Sequence, residues 1–209
     1  MSKTLIQGIY KKGSQGNAVR HIQEMLHVTA DGVFGPKTEA AVKEFQKFSH
    51  LIADGIVGPT TYRRLVTRYY PMCQRDINEI IVHCSATPEG KDYTVNDITK
   101  WHKERGFNTI GYHYVIYRDG TIHAGRNLNL AGAHCTNHNA RSIGVCYIGG
   151  CDQAMQPKDT RTAAQKEGLA MLLCDLKVIF PAAQIHGHRD YAAKACPSFD
   201  ATAEYRDIR

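Results

Sequence analysis

The sequence predicts an α/β domain with a mixed central sheet flanked by helices, preceded by a small all-α domain of three helices. From residue 77 onward, apolar β-branched runs and turn signals alternate with amphipathic segments, in the order strand, loop, helix, hairpin, strand, helix, strand. The residues before this point carry only helical spacing and a repeated turn. We therefore expect a first domain at 1–70, a linker at 71–76 and a second domain at 77–209.

A duplicated turn organises the first domain. DGVFGPKT at 31–38 is echoed by DGIVGPTT at 54–61, and each copy leads through Gly-Pro into a segment that reads as a helix with Pro in its first turn. Such repeated turns would clamp a bundle that is small for independent folding. The expected apolar helix faces are Val19, Ile22, Met25 and Leu26; Ala41, Val42, Phe45 and Phe48; and Tyr62, Leu65 and Val66.

The second domain opens with a strand and a helix. The apolar run at 80–82 is broken by a loop rich in Ser, Thr, Pro and Gly, which predicts a buried strand. Thr94 followed by Asp97 is a variant of the capping box, and Gly106 stands where a helix end belongs. A helix over about ten residues is therefore expected between them.

A hairpin, a strand and a long helix follow. Residues 111–126 contain two alternating runs on either side of Asp119-Gly120, a strong signal for a tight hairpin turn. Residues 142–150 read as another buried strand. Leucines at helical spacing predict a helix over 160–180, which Pro181 ends.

Three side chains near the C-terminus suggest an incomplete metal site. His188, Lys194 and Cys196 lie within nine residues, in the segment HGHRDYAAKACPSFD. Zinc takes four donors and keeps one position for water when it is catalytic, so a His and a Cys need a third protein ligand. We expect it to be His83, at the C-terminal end of the first strand, where ligand sites of α/β domains open. His186 is the alternative to His188.

Other residues receive plainer interpretations. Period-two alternation places Cys84 on the face opposite His83, where packing is expected. The chain has seven cysteines, an odd number without regular spacing, which favours reduced thiols. His102 is expected to pack on its helix. Structural or solvent-facing positions are expected for His113, His123 and His138, and ordinary thiols for Cys135, Cys146, Cys151 and Cys174.

Composition and charge limit the possible partners. The net charge of +6 is a moderate basic excess that suits an anionic polymer, but it is not gathered into the stripe of a nucleic-acid binder. No apolar run is long enough to insert into a membrane. The start of the chain has no apolar h-region, so we expect synthesis in the cytoplasm without a signal peptide.

The first domain resembles a known wall-binding family. Gly16, Val19, Gln23 and Leu26, with the two Asp-Gly turns and the Thr that follows each, are similar to the three-helix peptidoglycan-binding domain of cell-wall hydrolases. The resemblance covers roughly residues 8–67. It implies that peptidoglycan is the partner.

The second domain resembles the zinc-dependent N-acetylmuramoyl-L-alanine amidase family, in the form found in T-odd coliphages. The blocks IIVHCSAT, WHKERGF, GYHYVIYRDGTIHAGR, GAHCTNHNARSIGVCYIGG and GHRDYAAKACPSFD recur in the order of that family over residues 77–203. The resemblance implies a zinc ion at one end of the sheet. It assigns zinc ligands to His83, His188 and Cys196, catalytic roles to Tyr112 and Lys194, and substrate contacts to His134 and Asn139.

The implied reaction is hydrolysis of the amide between N-acetylmuramic acid and L-alanine. A zinc ion with three protein donors lowers the pKa of its bound water to about 7, which supplies a nucleophile near neutral pH. Either Tyr112 or Lys194 could pass a proton to the leaving amine. We expect a monomeric, endolysin-like enzyme that reaches the wall through a holin or a secretion system. The alternatives are a non-catalytic peptidoglycan-recognition protein, a secreted antibacterial wall toxin and a wall endopeptidase.

Overall fold

A computed structural model describes residues 8–208. The chain forms two compact units that divide between Met72 and Cys73, so residues 73–76 of the expected linker belong to the second unit. Three helices in the first unit and a mixed sheet in the second confirm the predicted fold class. Within the described part of the chain, no helix combines the length and apolar character needed to cross a bilayer.

The helices of the first unit are α1 (Asn17–Met25), α2 (Pro36–Phe48) and α3 (Pro59–Tyr69). As predicted, α2 and α3 each begin with Pro, at a position where the missing N–H would have had no helical partner. The apolar core contains residues from all three helices, each at most 1% exposed: Val19, Ile22, Val42, Leu65 and Val66.

A buried glutamine ties each repeated turn to the preceding helix. Gln23 donates from Nε2 to Asp31 Oδ1 at 2.8 Å and to Thr38 Oγ1 at 2.9 Å, and its Oε1 accepts from the backbone N–H of Gly32 at 2.8 Å. Gln46 repeats these bonds with the residues 23 positions further on, namely Asp54 at 2.8 Å, Thr61 at 3.2 Å and Gly55 at 2.9 Å. Because a buried amide without partners is costly, each glutamine holds its turn in one position.

Phe48 departs from the prediction, since it is 64% exposed instead of buried. The buried residues of α2 are Thr38, Val42 and Gln46, because the polar bonds to the second turn occupy this side of the helix. The Arg68 guanidinium lies 4.3 Å from the centre of the Phe48 ring, a cation–π contact at the surface.

The described residues of the second unit form seven strands. They are β1 (Glu79–Cys84), β2 (Thr87–Pro88), β3 (Tyr114–Ile116), β4 (Ile122–Ala124), β5 (Ser142–Tyr147), β6 (Gly150–Cys151) and β7 (Gln184–Gly187). The main sheet has the order β4-β3-β5-β1-β7, and β2 pairs with β6. Among the described strands of the main sheet, only β3 and β4 pair in antiparallel fashion, so the carboxyl ends of β3, β5, β1 and β7 share one edge.

The helices of the second unit are α4 (Val95–Glu104), α5 (Ala163–Ile179) and α6 (Ala201–Tyr205). The capping box of Thr94 and Asp97 is present as predicted, and Gly106 follows α4 with a φ of +86°. A second capping box, formed by Thr162 and Gln165, begins α5 and was not identified from the sequence.

The predicted hairpin joins β3 and β4, with Gly120 at a φ of +85° in its turn. A long loop over residues 125–141 then leads to β5. Arg75 secures this loop, since its guanidinium donates to the carbonyls of Leu128, Asn139 and Ala140 at 2.9–3.0 Å. The same guanidinium bonds the carbonyl of Ser142 at 2.8 Å, so the segment after Met72 is built into the second unit.

Candidate active site

His83 is the second-last residue of β1, an interior strand of the main sheet, and is 1% exposed. Its neighbours on both sides, β5 and β7, hold the backbone in a parallel ladder. The Nδ1 atom lies 3.7 Å from Cys196 Sγ, and the Nε2 atom lies 3.0 Å from Nδ1 of His134. Each nitrogen of the ring therefore faces a different partner.

The chain that follows β7 carries the other two expected donors. His188 begins a short turn of 3₁₀ helix directly after the strand. The N–H of Arg189 donates to the carbonyl of Cys196 at 2.7 Å, which closes the intervening loop. The N–H of Cys84 donates to Cys196 Sγ at 3.3 Å. These two backbone bonds bring Cys196 beside His83 and His188.

The three side chains fit a zinc ion. The donor atoms of His83, His188 and Cys196 all lie within 4.8 Å of one another. Zinc–nitrogen and zinc–sulfur bonds of about 2.0 and 2.3 Å in a tetrahedron separate two nitrogens by about 3.3 Å and a nitrogen from a sulfur by about 3.5 Å. The spacing of His83 Nδ1 and Cys196 Sγ, 3.7 Å, agrees with this geometry. The backbone N–H directed at the sulfur favours its thiolate form.

The electrostatic setting suits metal ligation. Burial lowers the pKa of His83 well below its usual range, and His134 and His188 lower it further. Burial and then the Lys194 charge lower the pKa of His188. Both shifts favour the neutral ring, the form that offers a lone pair to a metal. The adjacent Cys84 thiol and burial raise the pKa of Cys196, which a bound divalent cation would counteract by stabilising the thiolate.

The donor group opens on a cleft of about 420 Å³. Its walls include six of the expected site residues: Tyr112, His134, Asn139, His188, Lys194 and Cys196. His83 is buried behind them, with its ring centroid 5.0 Å from that of Tyr112. The structure thus brings all seven expected site residues to one place.

The cleft offers hydrogen-bond donors and positive charge. Burial raises the pKa of Tyr112 well above its ordinary value, so the phenol keeps its proton and can donate a hydrogen bond. Lys194 is exposed at the rim, and Arg105 is a second cation on the wall. Among the described residues that line the cleft there is no carboxylate. The site therefore suits a substrate that carries negative charge.

Asn139 shapes the loop that carries His134. The side-chain Oδ1 of Asn139 accepts from the backbone N–H of His134 at 2.8 Å and from that of Cys135 at 3.0 Å. This bridge closes a tight turn within the loop over residues 125–141. The position of His134 is therefore set by the backbone as well as by its own ring contacts.

Two further histidines were given roles from the sequence: His186 as an alternative zinc ligand and His102 as a packing residue of its helix. His186 lies outside the donor group, with Nδ1 3.8 Å from the Asp190 carboxylate and its ring against Tyr191. His102 is buried on α4 as expected, but it also lines the cleft, and its Nδ1 accepts from the N–H of Gly111 at 2.9 Å.

Arg105 and Phe107 also line the cleft, and neither was predicted to do so. Their position in the sequence could have indicated a place near the site. They flank Gly106, and the chain turns there from the end of α4 towards the site.

Family models match both units. Residues 74–199 match the model of the N-acetylmuramoyl-L-alanine amidase family. Residues 15–65, which include all of the helices α1 and α2, match the model of a peptidoglycan-binding domain. The first match covers the sheet and every expected site residue. The second match covers both copies of the repeated turn.

Individual relatives are similar to the second unit. An endolysin of Klebsiella phage KP32 is 45% identical over 127 residues, which are 61% of this chain and 84% of the relative. An endolysin of Escherichia phage T7 is 44% identical over 58% of this chain and 80% of its own length. The solved amidase LysC from Clostridium intestinale has a TM-score of 0.54 and 29% identity, over 62% of this chain and 82% of that one. The chain therefore belongs to the N-acetylmuramoyl-L-alanine amidase family and is a peptidoglycan amidase.

Proposed function

We propose that the enzyme is zinc-dependent and cuts the amide bond between N-acetylmuramic acid and the L-alanine of the stem peptide. The observation that carries this proposal is the group of His83, His188 and Cys196, whose donor atoms converge beside a cleft. When bound, zinc supplies a Lewis acid and a water acidic enough to attack near neutral pH.

Tyr112 and Lys194 are proposed to act on the substrate carbonyl. Attack on the amide places negative charge on the carbonyl oxygen, and the protonated phenol and the ammonium both line the cleft where that charge develops. One well-placed donor of this kind contributes about 3 kcal/mol. The leaving amine of L-alanine also needs a proton, which either Tyr112 or Lys194 can deliver.

The substrate is proposed to lie along the wall formed by the loop over residues 125–141. His134 and Asn139 on this loop line the cleft. Arg105, which directly follows α4, lines it as well. Stem peptides carry free carboxylates, and the cations Arg105 and Lys194 would attract them.

We propose an endolysin-like role for the whole chain. The first unit would hold the enzyme on peptidoglycan, and the second would cut it, as a monomer. This role is supported by the similarity of the second unit to phage endolysins and of the first to peptidoglycan-binding domains. Passage to the wall would require a holin or a secretion system.

Digestion of purified peptidoglycan tests the chemistry. Mass spectrometry should find new L-alanine amino termini and no new reducing sugars. A chelator should stop the reaction, and added zinc should restore it. Cleavage that resists the chelator would contradict zinc dependence, and new peptide ends other than L-alanine would indicate an endopeptidase. Binding without cleavage would indicate a recognition protein.

A further inference from the structure

The ring of His134 occupies a slot made by two glycines. A Cβ atom placed on Gly144 would lie 2.5 Å from His134 Cδ2, and one on Gly132 would lie 2.4 Å from the same atom. Neither glycine has a positive φ, so backbone conformation does not require them. The imidazole of His134 instead occupies the space that side chains at these two positions would fill.

A chain of hydrogen bonds runs from this ring to a backbone carbonyl. His134 Nε2 lies 3.3 Å from Ser142 Oγ, and Ser142 Oγ donates to the carbonyl of His138 at 2.8 Å. At the other end, His134 Nδ1 lies 3.0 Å from His83 Nε2. Both nitrogens of His134 are thus used inside the protein.

The carbonyl determines the direction of every bond in the chain. A carbonyl can only accept, so the single hydroxyl proton of Ser142 is spent on His138. Ser142 Oγ must then accept a proton from His134 Nε2, which leaves His134 Nδ1 as an acceptor. His83 therefore carries its proton on Nε2, and the lone pair on Nδ1 faces Cys196.

We infer that His134 is a positioning residue that selects the metal-binding tautomer of His83, with Ser142 setting its direction and Gly132 and Gly144 holding its ring. This inference rests on the proposed zinc function. It gives His134 a contact with the metal site through His83 in place of a polar contact with the sugar–peptide. Groups that orient a ligating histidine in this way typically change metal affinity by about 10–100-fold when removed.

Zinc affinity of the full chain, measured by competition with a chromophoric chelator, tests the inference without relying on activity. His134→Ala should weaken zinc binding by about 10–100-fold. His134→Asn keeps an acceptor near the Nδ1 position and should recover most of the affinity. Ser142→Ala should weaken binding less, because the His134 ring stays in its slot. Fluorescence of Trp101, the one tryptophan of the chain, reports whether the second unit is folded in each variant.

Gly144→Ala provides the sharpest comparison, because Gly144 is not a proposed zinc ligand and the three atoms nearest to a Cβ there all belong to His134. Alone, it should weaken zinc binding about as much as His134→Ala, since the new methyl group displaces the ring. In the His134→Ala background, it should have little further effect. Gly35→Ala is the matched control, since a Cβ atom there meets nothing within 4 Å.

The outcomes separate the inference from the proposed function. Unchanged zinc affinity in His134→Ala overturns the inference alone, as does an equal and additive loss from Gly144→Ala in both backgrounds. A wild-type chain that binds no zinc overturns the proposed function and the inference with it.

Discussion

The two units both bury polar side chains, but they complete the hydrogen bonds differently. In the first unit, Gln23 and Gln46 find protein partners for both their oxygen and their nitrogen. In the second unit, His83 Nε2 lies 3.0 Å from Nδ1 of His134, whereas its Nδ1 lies 3.7 Å from the sulfur of Cys196, which is itself a proposed zinc donor. The first network is closed and serves the fold, whereas the second is left open towards a ligand.

This difference separates stability from function in experiments. Breaking a closed network leaves buried groups without partners, so its cost appears in the free energy of unfolding. Breaking the open network removes a donor that the fold does not need, so its cost appears in binding and turnover. Variants in the two units should therefore fail in different assays.

Loss of a zinc donor should have the largest effect. Cys196→Ser replaces a thiolate with a poor zinc ligand, and we expect activity on peptidoglycan to fall by about a thousand-fold or more as the metal is lost. Metal analysis and turnover on purified peptidoglycan measure this. Cys73→Ser is the matched control outside the cleft and should keep both. Full zinc content in Cys196→Ser would contradict the proposed ligand set.

Lys194→Ala should show the next largest effect, on turnover alone. Removing a charged donor from the developing oxyanion should lower kcat by about 100–1,000-fold while zinc content stays unchanged. Lys166→Ala, a lysine on α5 that is 52% exposed, is the control. A fully active Lys194→Ala variant would remove Lys194 from the mechanism.

Gln46→Leu should destabilise the first unit by about 2–4 kcal/mol, because it leaves the second turn without its partner. Hydrogen–deuterium exchange of peptides from residues 36–61 should speed up, while Trp101 fluorescence in the second unit should not change. Gln23→Leu should behave alike, given the repeated geometry. Unequal effects would show that the hydrogen bonds of Gln23 and Gln46 do not stabilise their turns equally.

The smallest expected effect is an acid-dependent loss of stability in the first unit. The N–H of Ile56 and the Gln46 side chain hold the pKa of Asp54 below its ordinary value. The stabilisation is therefore present above the unfolded pKa of about 3.9 and is lost as the pH falls through the folded value. Asp54→Asn should reduce the difference between the free energies of unfolding at pH 5 and pH 3. Circular dichroism measures unfolding at each pH. An unchanged difference would contradict this account.

The features that the sequence predicted correctly depend on local chemistry. The capping box at Thr94 and the Asp119-Gly120 turn are set by neighbours in the chain, and both were found. His83 was selected as the third ligand because it ends a buried strand, and the family resemblance assigned the same residue. The prediction that Phe48 is buried was wrong, because Gln46 and its polar bonds occupy the buried face of α2. The spacing of apolar residues does not reveal such polar bonds.

The glycine slot could not have been predicted in this way. Gly132 and Gly144 belong to different segments, and their reason for being small appears only where the ring of His134 passes between them. The contact of His102 with the cleft was missed for a related reason, since helical spacing shows which side of a helix is buried but not what lies beyond it.

The contacts of Arg75 carry a practical consequence for exchanging wall-binding modules. Because this arginine bonds three carbonyls of the loop over residues 125–141 and that of Ser142 in β5, a chimera that keeps the native residues only from 77 onward would lose these bonds. A graft joined upstream of Cys73 would retain it. The junction for modular engineering thus lies several residues earlier than the first strand of the sheet suggests.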